Sequence, residues 1–195
     1  MIKQEEKKKI IIREPVALER KRIRTLMADS EETEFKLLDF EDIDDIASVL
    51  RKVAFEIGEK EKKQIKEILA DKCSYGAYVD RLLVGLSLSW KICFNESTKS
   101  IYKCPEKNSI IIEEIAILVA YEGKGIREKL IELTEKAAYE KSLMYVVCVC
   151  GENPKEDNVI DVIKSRGTKL EKTLLQSGYS FFKGKYGLTA FKKLQ

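Results

Sequence analysis

The sequence predicts an α/β (α+β) domain behind a charged arm. An apolar run at 110–119 gives way to Glu122-Gly123-Lys124-Gly125-Ile126-Arg127 and then to helical spacing, so strand, glycine loop and helix follow one another. Residues 143–150 are nearly all apolar and rich in β-branched side chains, as in a central strand covered on both faces. Apolar positions step by three and four from Ile43 to Ile57 and again from Ile126 to Ala137, marking two amphipathic helices.

Taken in order, residues 1–34 read as the arm, with a short strand at 10–12 and a basic helix at 17–27, and residues 35–195 read as the domain. A strand at 35–40 leads to a helix that begins at Asp42 and stops at Gly58, and a more charged helix covers 60–70. Strands at 75–79 and 82–94 flank Asp80-Arg81, and the polar stretch 95–108 connects them to the strand at 110–119. The helix after the glycine loop runs to about Lys141. In the strand 143–150, Cys148 and Cys150 share one face as small core residues. Helical spacing over 159–177 is interrupted at Gly167, and a hairpin through Gly184 and Gly187 joins 179–183 to 188–192.

Composition excludes several classes. No run approaches the ~18–20 apolar residues of a membrane span, and the first nine residues are charged, so neither an anchor nor a signal peptide is expected. Histidine is absent and the five cysteines form no Cys-x-x-Cys pair, which removes zinc sites and histidine triads. An odd cysteine count without framework spacing fits a reducing cytoplasm. The net charge of +3 names no partner, but nine Lys/Arg against four Asp/Glu over 1–24 make the arm basic. Nucleic acid would have to bind there, and the arm offers no aromatic ring to stack a base.

The loop carries the chemistry. A helix start presents unpaired N–H groups and a partial positive charge, and glycines let a phosphate come close. The dinucleotide fingerprint fails at Glu128, and no P-loop is present. Glu113 and Glu114 stand inside the apolar strand just before the loop, where carboxylates are costly unless solvated or paired. Side chains alternate along a strand, so only one of them is expected to face a cleft, where burial would raise its pKa toward that of a useful base.

The element order and the loop at 122–127 resemble the GNAT (general-control-related N-acetyltransferase) superfamily over residues 35–194. Its motif Gln/Arg-x-x-Gly-x-Gly/Ala falls on Glu122 to Arg127, matching at Gly125 and departing at Glu122 and Arg127. The resemblance implies a mixed, mostly antiparallel sheet flanked by helices, with acetyl-CoA in a cleft where the fourth and fifth strands splay. It also implies coenzyme contacts at Ile117, Val119, Glu122, Gly123, Lys124, Gly125, Ile126 and Arg127, the loop amides holding the pyrophosphate. Glu114 becomes the first candidate base and Glu113 the second, because Ile115-Ala116-Ile117-Leu118-Val119 resembles the sequence after the catalytic glutamate of histone-type members. The usual acid is a tyrosine four residues before the glycine of a Tyr-x-x-x-Gly-Phe/Tyr motif; here Leu174 takes that place ahead of Gly178-Tyr179. Tyr145, Tyr179 and Tyr186 remain as acids by type only. The implied reaction is direct, metal-free transfer of acetyl from acetyl-CoA to a primary amine on a protein, peptide or small molecule, by a monomer or homodimer. The alternative is a non-catalytic module of the same fold that binds coenzyme A or a protein or RNA partner.

Overall fold

In a computed structural model, which describes residues 32–53 and 56–194, the strands are β1 (Glu34–Leu37), β2 (Tyr75–Val79), β3 (Leu82–Asn95), β4 (Ser100–Tyr102), β5 (Ser109–Ile117), β6 (Tyr145–Gly151), β7 (Ser180–Gly184) and β8 (Gly187–Lys193). The helices are α1 (Ile43–Lys52), α2 (Glu59–Leu69), α3 (Ile126–Glu140), α4 (Val159–Arg166) and α5 (Lys169–Gln176). The strand expected at 10–12 and the helix at 17–27 lie outside the described residues. One sheet runs in the order β1-β2-β3-β5-β6-β8-β7, with β4 paired to the far end of β3. Only β5 and β6 run parallel; every other pair is antiparallel.

Helices cover both faces. Ile110, Ile112, Ile115 and Ile117 of β5 pack against Ile126 and Leu130 of α3 and Leu174 of α5. Leu86, Leu88 and Ala116 meet Ile46 and Leu50 of α1 and Ile65 and Leu69 of α2 on the other face. A third cluster, Phe94, Ile111, Tyr145, Val147 and Phe191, fills the remainder of that second face. Burial of such side chains, at ~1.5–3 kcal/mol each, is the main force closing the sheet between its helices.

Local chemistry sets the boundaries. Asp39 and Asp42 close a reciprocal cap around the 3-10 turn before α1: Asp39 accepts the Phe40 N–H at 2.6 Å, and Asp42 accepts the Asp39 N–H at 2.8 Å. The helix expected to reach Gly58 ends at Lys52 instead, and Gly58 starts the next helix rather than stopping the first. The reason is Glu61, which accepts the Gly58 N–H at 2.9 Å and fixes an extended Gly58 as the N-cap of α2. Strand β4, three residues inside the stretch expected to be only a polar connection, pairs Ser100 with Asn95 and Tyr102 with Cys93. At Gly167 the helical spacing breaks as expected, and Thr168 caps α5 by accepting the Glu171 N–H at 3.2 Å.

Cysteine spacing along the chain concealed one pairing. The β3–β4 ribbon brings Cys93 and Cys104 together as a disulfide, with Cα atoms 6.0 Å apart, and leaves Cys73, Cys148 and Cys150 free. Closing an eleven-residue separation stabilises the fold by ~3 kcal/mol in the chain-entropy account. We expect Cys104→Ser to lower Tm by about 6–12 °C in thermal melts, and a reductant to bring the parent protein down to the same value. Among the described residues no helix is long and apolar enough to cross a membrane.

Candidate functional site

Strand β5 runs out at Ile117 and passes through a 3-10 turn, Val119–Tyr121, into the glycine loop. Gly123 and Gly125 both take positive φ, +80° and +76°, which only glycine adopts without strain. Gly125 is the N-cap of α3 and has no side chain with which to satisfy the first-turn N–H groups, so they point into the loop. A pocket of about 260 Å³ lies there, lined by Ile117, Gly123, Gly125, Arg127, Lys169 and Lys172 among others. Glu122 is not an unopposed negative charge in this pocket. Its carboxylate accepts from Arg127 at 2.6 Å and from Lys169 at 3.3 Å. Lys124 instead holds its ammonium 4.8 Å from the Tyr121 ring centre. Ile126 is buried in the core and also lines the pocket, while Val119, 85% exposed, lies outside the lining.

Within β5, on the way to this loop, the sheet opens. Its pairing with β6 stops at Ile112 opposite Cys148, although both strands continue. On its other side β5 carries a bulge: Leu88 pairs with Glu114 and Ser89 with Ile112, so Glu113 is the extra residue. The bulge corrects the expectation that only one glutamate faces the cleft. An inserted residue resets the two-residue alternation, and both Glu113 and Glu114 line one cavity of about 590 Å³ beneath α1 and α2. Burial pushes the Glu114 carboxyl above the usual carboxylate range, against a lowering hydrogen bond from the Ile115 N–H, and Glu113 raises it further. Glu113 is exposed and accepts the Trp90 indole N–H at 3.1 Å. Lys103 and Lys107 hold their ammonium groups 5.7 and 5.6 Å from the Trp90 ring centre. A second, mainly apolar cavity of about 570 Å³ meets the first at Trp90, Lys103 and Glu113 and reaches Val149 and Tyr186.

No family model and no curated protein matches the sequence. Solved structures do match the fold. The chain is similar to arylalkylamine N-acetyltransferase 2 from Aedes aegypti, at 12% identity and a TM-score of 0.61, over 84% of this chain and 100% of that one. It is similar to the loading GNATL domain of CurA from Lyngbya majuscula, at 12% identity and a TM-score of 0.60, over 84% and 98% of the two chains. It is also similar to PaiA N-acetyltransferase from Thermoplasma acidophilum, solved in complex with coenzyme A, at 14% identity and a TM-score of 0.56, over 84% and 99%. The chain has the GNAT fold.

Within the GNAT fold the glycine loop follows the C-terminal end of β5, and the two glutamates stand midway along that strand, just past its last pairing with β6. Leu174 is fully buried in the core against α3, so that position supplies packing and no proton. Tyr179, 3% exposed, shares that core; burial and the Glu135 carboxylate hold its proton on far above the ordinary phenol range. The Tyr145 hydroxyl donates to Glu96 at 3.0 Å, away from both glutamates. Of the three tyrosines, Tyr186 alone lines a cavity shared with Glu113, from the turn between β7 and β8, and it is 62% exposed.

Several site residues escape a reading of the sequence. Lys169 and Lys172 come to the loop from α5, more than forty positions further along, and nothing near Gly125 announces them. Trp90 was legible only as a strand aromatic. Its identity as the chain's single tryptophan was the available signal, and in the fold its indole N–H donates to Glu113. Among the described residues no cluster of His, Cys, Asp or Glu is placed to hold a metal ion.

Proposed function

We propose that this chain is an acetyl-CoA-dependent N-acetyltransferase that moves an acetyl group directly to a primary amine. The observation behind the proposal is the pair of carboxylates on one cavity where β5 and β6 part, one of them with its proton affinity raised by burial. Acetyl-CoA would supply the activated acyl group as a thioester. The Gly123–Gly125 backbone, the first-turn N–H groups of α3, Arg127, Lys169 and Lys172 would hold its pyrophosphate. Glu114 takes the proton from the acceptor ammonium, and the burial that raises its pKa strengthens it as a proton acceptor. Tyr186 is our candidate for returning a proton to the departing thiolate. The mixed cavity, acidic at Glu61, Glu67, Asp71, Glu113 and Glu114 but walled by Ile57, Ile68 and Leu88, fits an amine borne on an apolar group.

The test is calorimetric titration with acetyl-CoA, followed by thiol release with a panel of amines. Micromolar binding with thiol release supports the proposal, and no binding at millimolar coenzyme overturns it. Binding without release for any amine would favour the second reading, a non-catalytic coenzyme A module. Buried Leu174 at the usual acid's position is the observation on that side.

The Glu122 ion pairs give a further expectation. A carboxylate ~6 Å from a phosphate costs between about 0.7 and 3 kcal/mol, depending on the effective dielectric. Its Arg127 and Lys169 partners offset part of that, so Glu122→Gln should tighten acetyl-CoA binding about threefold or more at low salt. The gain should shrink in calorimetry as salt is raised.

A further inference from the structure

Resting on the acetyl transfer proposed above, we infer that Lys103 is a self-acetylation site of this protein. Lys103 follows β4 in the segment that returns to β5, and its side chain lines both cavities where they meet at Glu113 and Trp90. Its ammonium lies 5.7 Å from the centre of the Trp90 ring, and the same indole donates to Glu113 at 3.1 Å. A cation over an indole face beside two carboxylates occupies the place an incoming amine needs. Among the described residues Lys103 makes no ion pair, and its ammonium rests against the Trp90 ring instead of a carboxylate. Its neighbour Lys107 differs. That ammonium is 5.6 Å from the same ring but donates to the Lys91 carbonyl oxygen at 2.7 Å, which ties it down.

The chemistry balances without an added reagent. The Lys103 ammonium gives one proton to Glu114, and the free amine nitrogen adds to the thioester carbonyl of acetyl-CoA. The new C–N bond forms and the C–S bond breaks. The departing thiolate takes the second proton lost by nitrogen, leaving acetyl-lysine and free coenzyme A. A short tether gives Lys103 an effective concentration on the order of millimolar, so it competes well with any dilute free amine. Acetylation removes one of the two lysine charges from a cavity that also holds five acidic side chains. The modified site therefore favours cationic acceptors more strongly than the unmodified one.

The experiment incubates the full chain with acetyl-CoA and no added amine, and maps acetylated peptides by mass spectrometry over time. We expect one acetyl group on Lys103 and none on Lys107. The first-order rate should stay unchanged on tenfold dilution of protein and fall by at least about 10²-fold in Glu114→Gln. Lys103→Arg should abolish the modification. Acetyl groups scattered over surface lysines at a rate that Glu114→Gln leaves unchanged would overturn the inference, as would a rate constant that rises with protein concentration. Unmodified Lys103 in a protein that binds acetyl-CoA and releases thiol with an added amine sinks this inference alone. Failure to bind acetyl-CoA at all removes the parent reading with it.

Discussion

Replacing Glu114 with glutamine should lower kcat by about 10²–10⁴-fold while leaving the fold intact, the range expected for loss of a positioned general base. Glutamine keeps the shape of the side chain and removes only its ability to take a proton. In the unsubstituted protein the proposed activity should rise with pH as Glu114 ionises, and because burial raises that pKa the rise should come later than for an ordinary glutamate. The variant should lose this acidic limb. Stability has the opposite sign. A carboxyl whose folded pKa lies above its unfolded value penalises the folded state once pH climbs above the unfolded pKa, and the penalty grows until the folded pKa is passed. Thermal melts at neutral pH should therefore show Glu114→Gln at least as stable as the parent, and a clear loss of stability would count against this assignment. Glu113→Gln should cost less rate, since Glu113 is exposed and its shown contact is to Trp90.

Gly125→Glu should weaken acetyl-CoA binding by about 100-fold or more, because it places a carboxylate beside the N–H groups proposed for the pyrophosphate. Nothing lies within 4 Å of a Cβ built at this position, so the loop has room for a side chain. The backbone is less tolerant: at φ +76° any L-residue costs roughly 1–2 kcal/mol. Gly125→Ala separates the two effects. It carries the strain without the charge, so its Tm should fall alongside that of the glutamate variant while most coenzyme affinity survives. Calorimetry and melts on the three proteins decide the matter. Equal binding by all three would remove the loop from the site.

Much of the fold was legible because apolar spacing in this chain is regular. The run at 110–119, the helical steps from Ile126 and the apolar block at 143–150 each became the element that their period announced. Where local signals competed, reading failed. Gly58 looks like a helix stop by residue type, but Glu61 three positions on makes it a start. β4 is too short and too polar to show a two-residue period, and it exists through its pairing with β3. The GNAT-like loop was visible as glycines, whereas the charge around it depends on α5, which only the folded chain delivers. For the glutamates the residue types were legible and the geometry was not, since alternation assumes a strand without an inserted residue. Cys93 and Cys104 meet through the β3–β4 turn, which the sequence presents only as a polar stretch.

The parting of β5 from β6 creates two strand edges in the middle of the sheet instead of at its rim. Such edges are exposed templates for any extended partner carrying amides, including another unfolded chain. The flanking strands limit that hazard: β3 and β8 still pair the outer sides of β5 and β6, so the gap is held open at fixed width. Amide exchange should register this arrangement. Protection should run high through the paired stretch from Ser109 to Ile112 and drop on the inner sides beyond it. An extended amide-bearing molecule seated in the gap would restore the ladder and slow exchange there first.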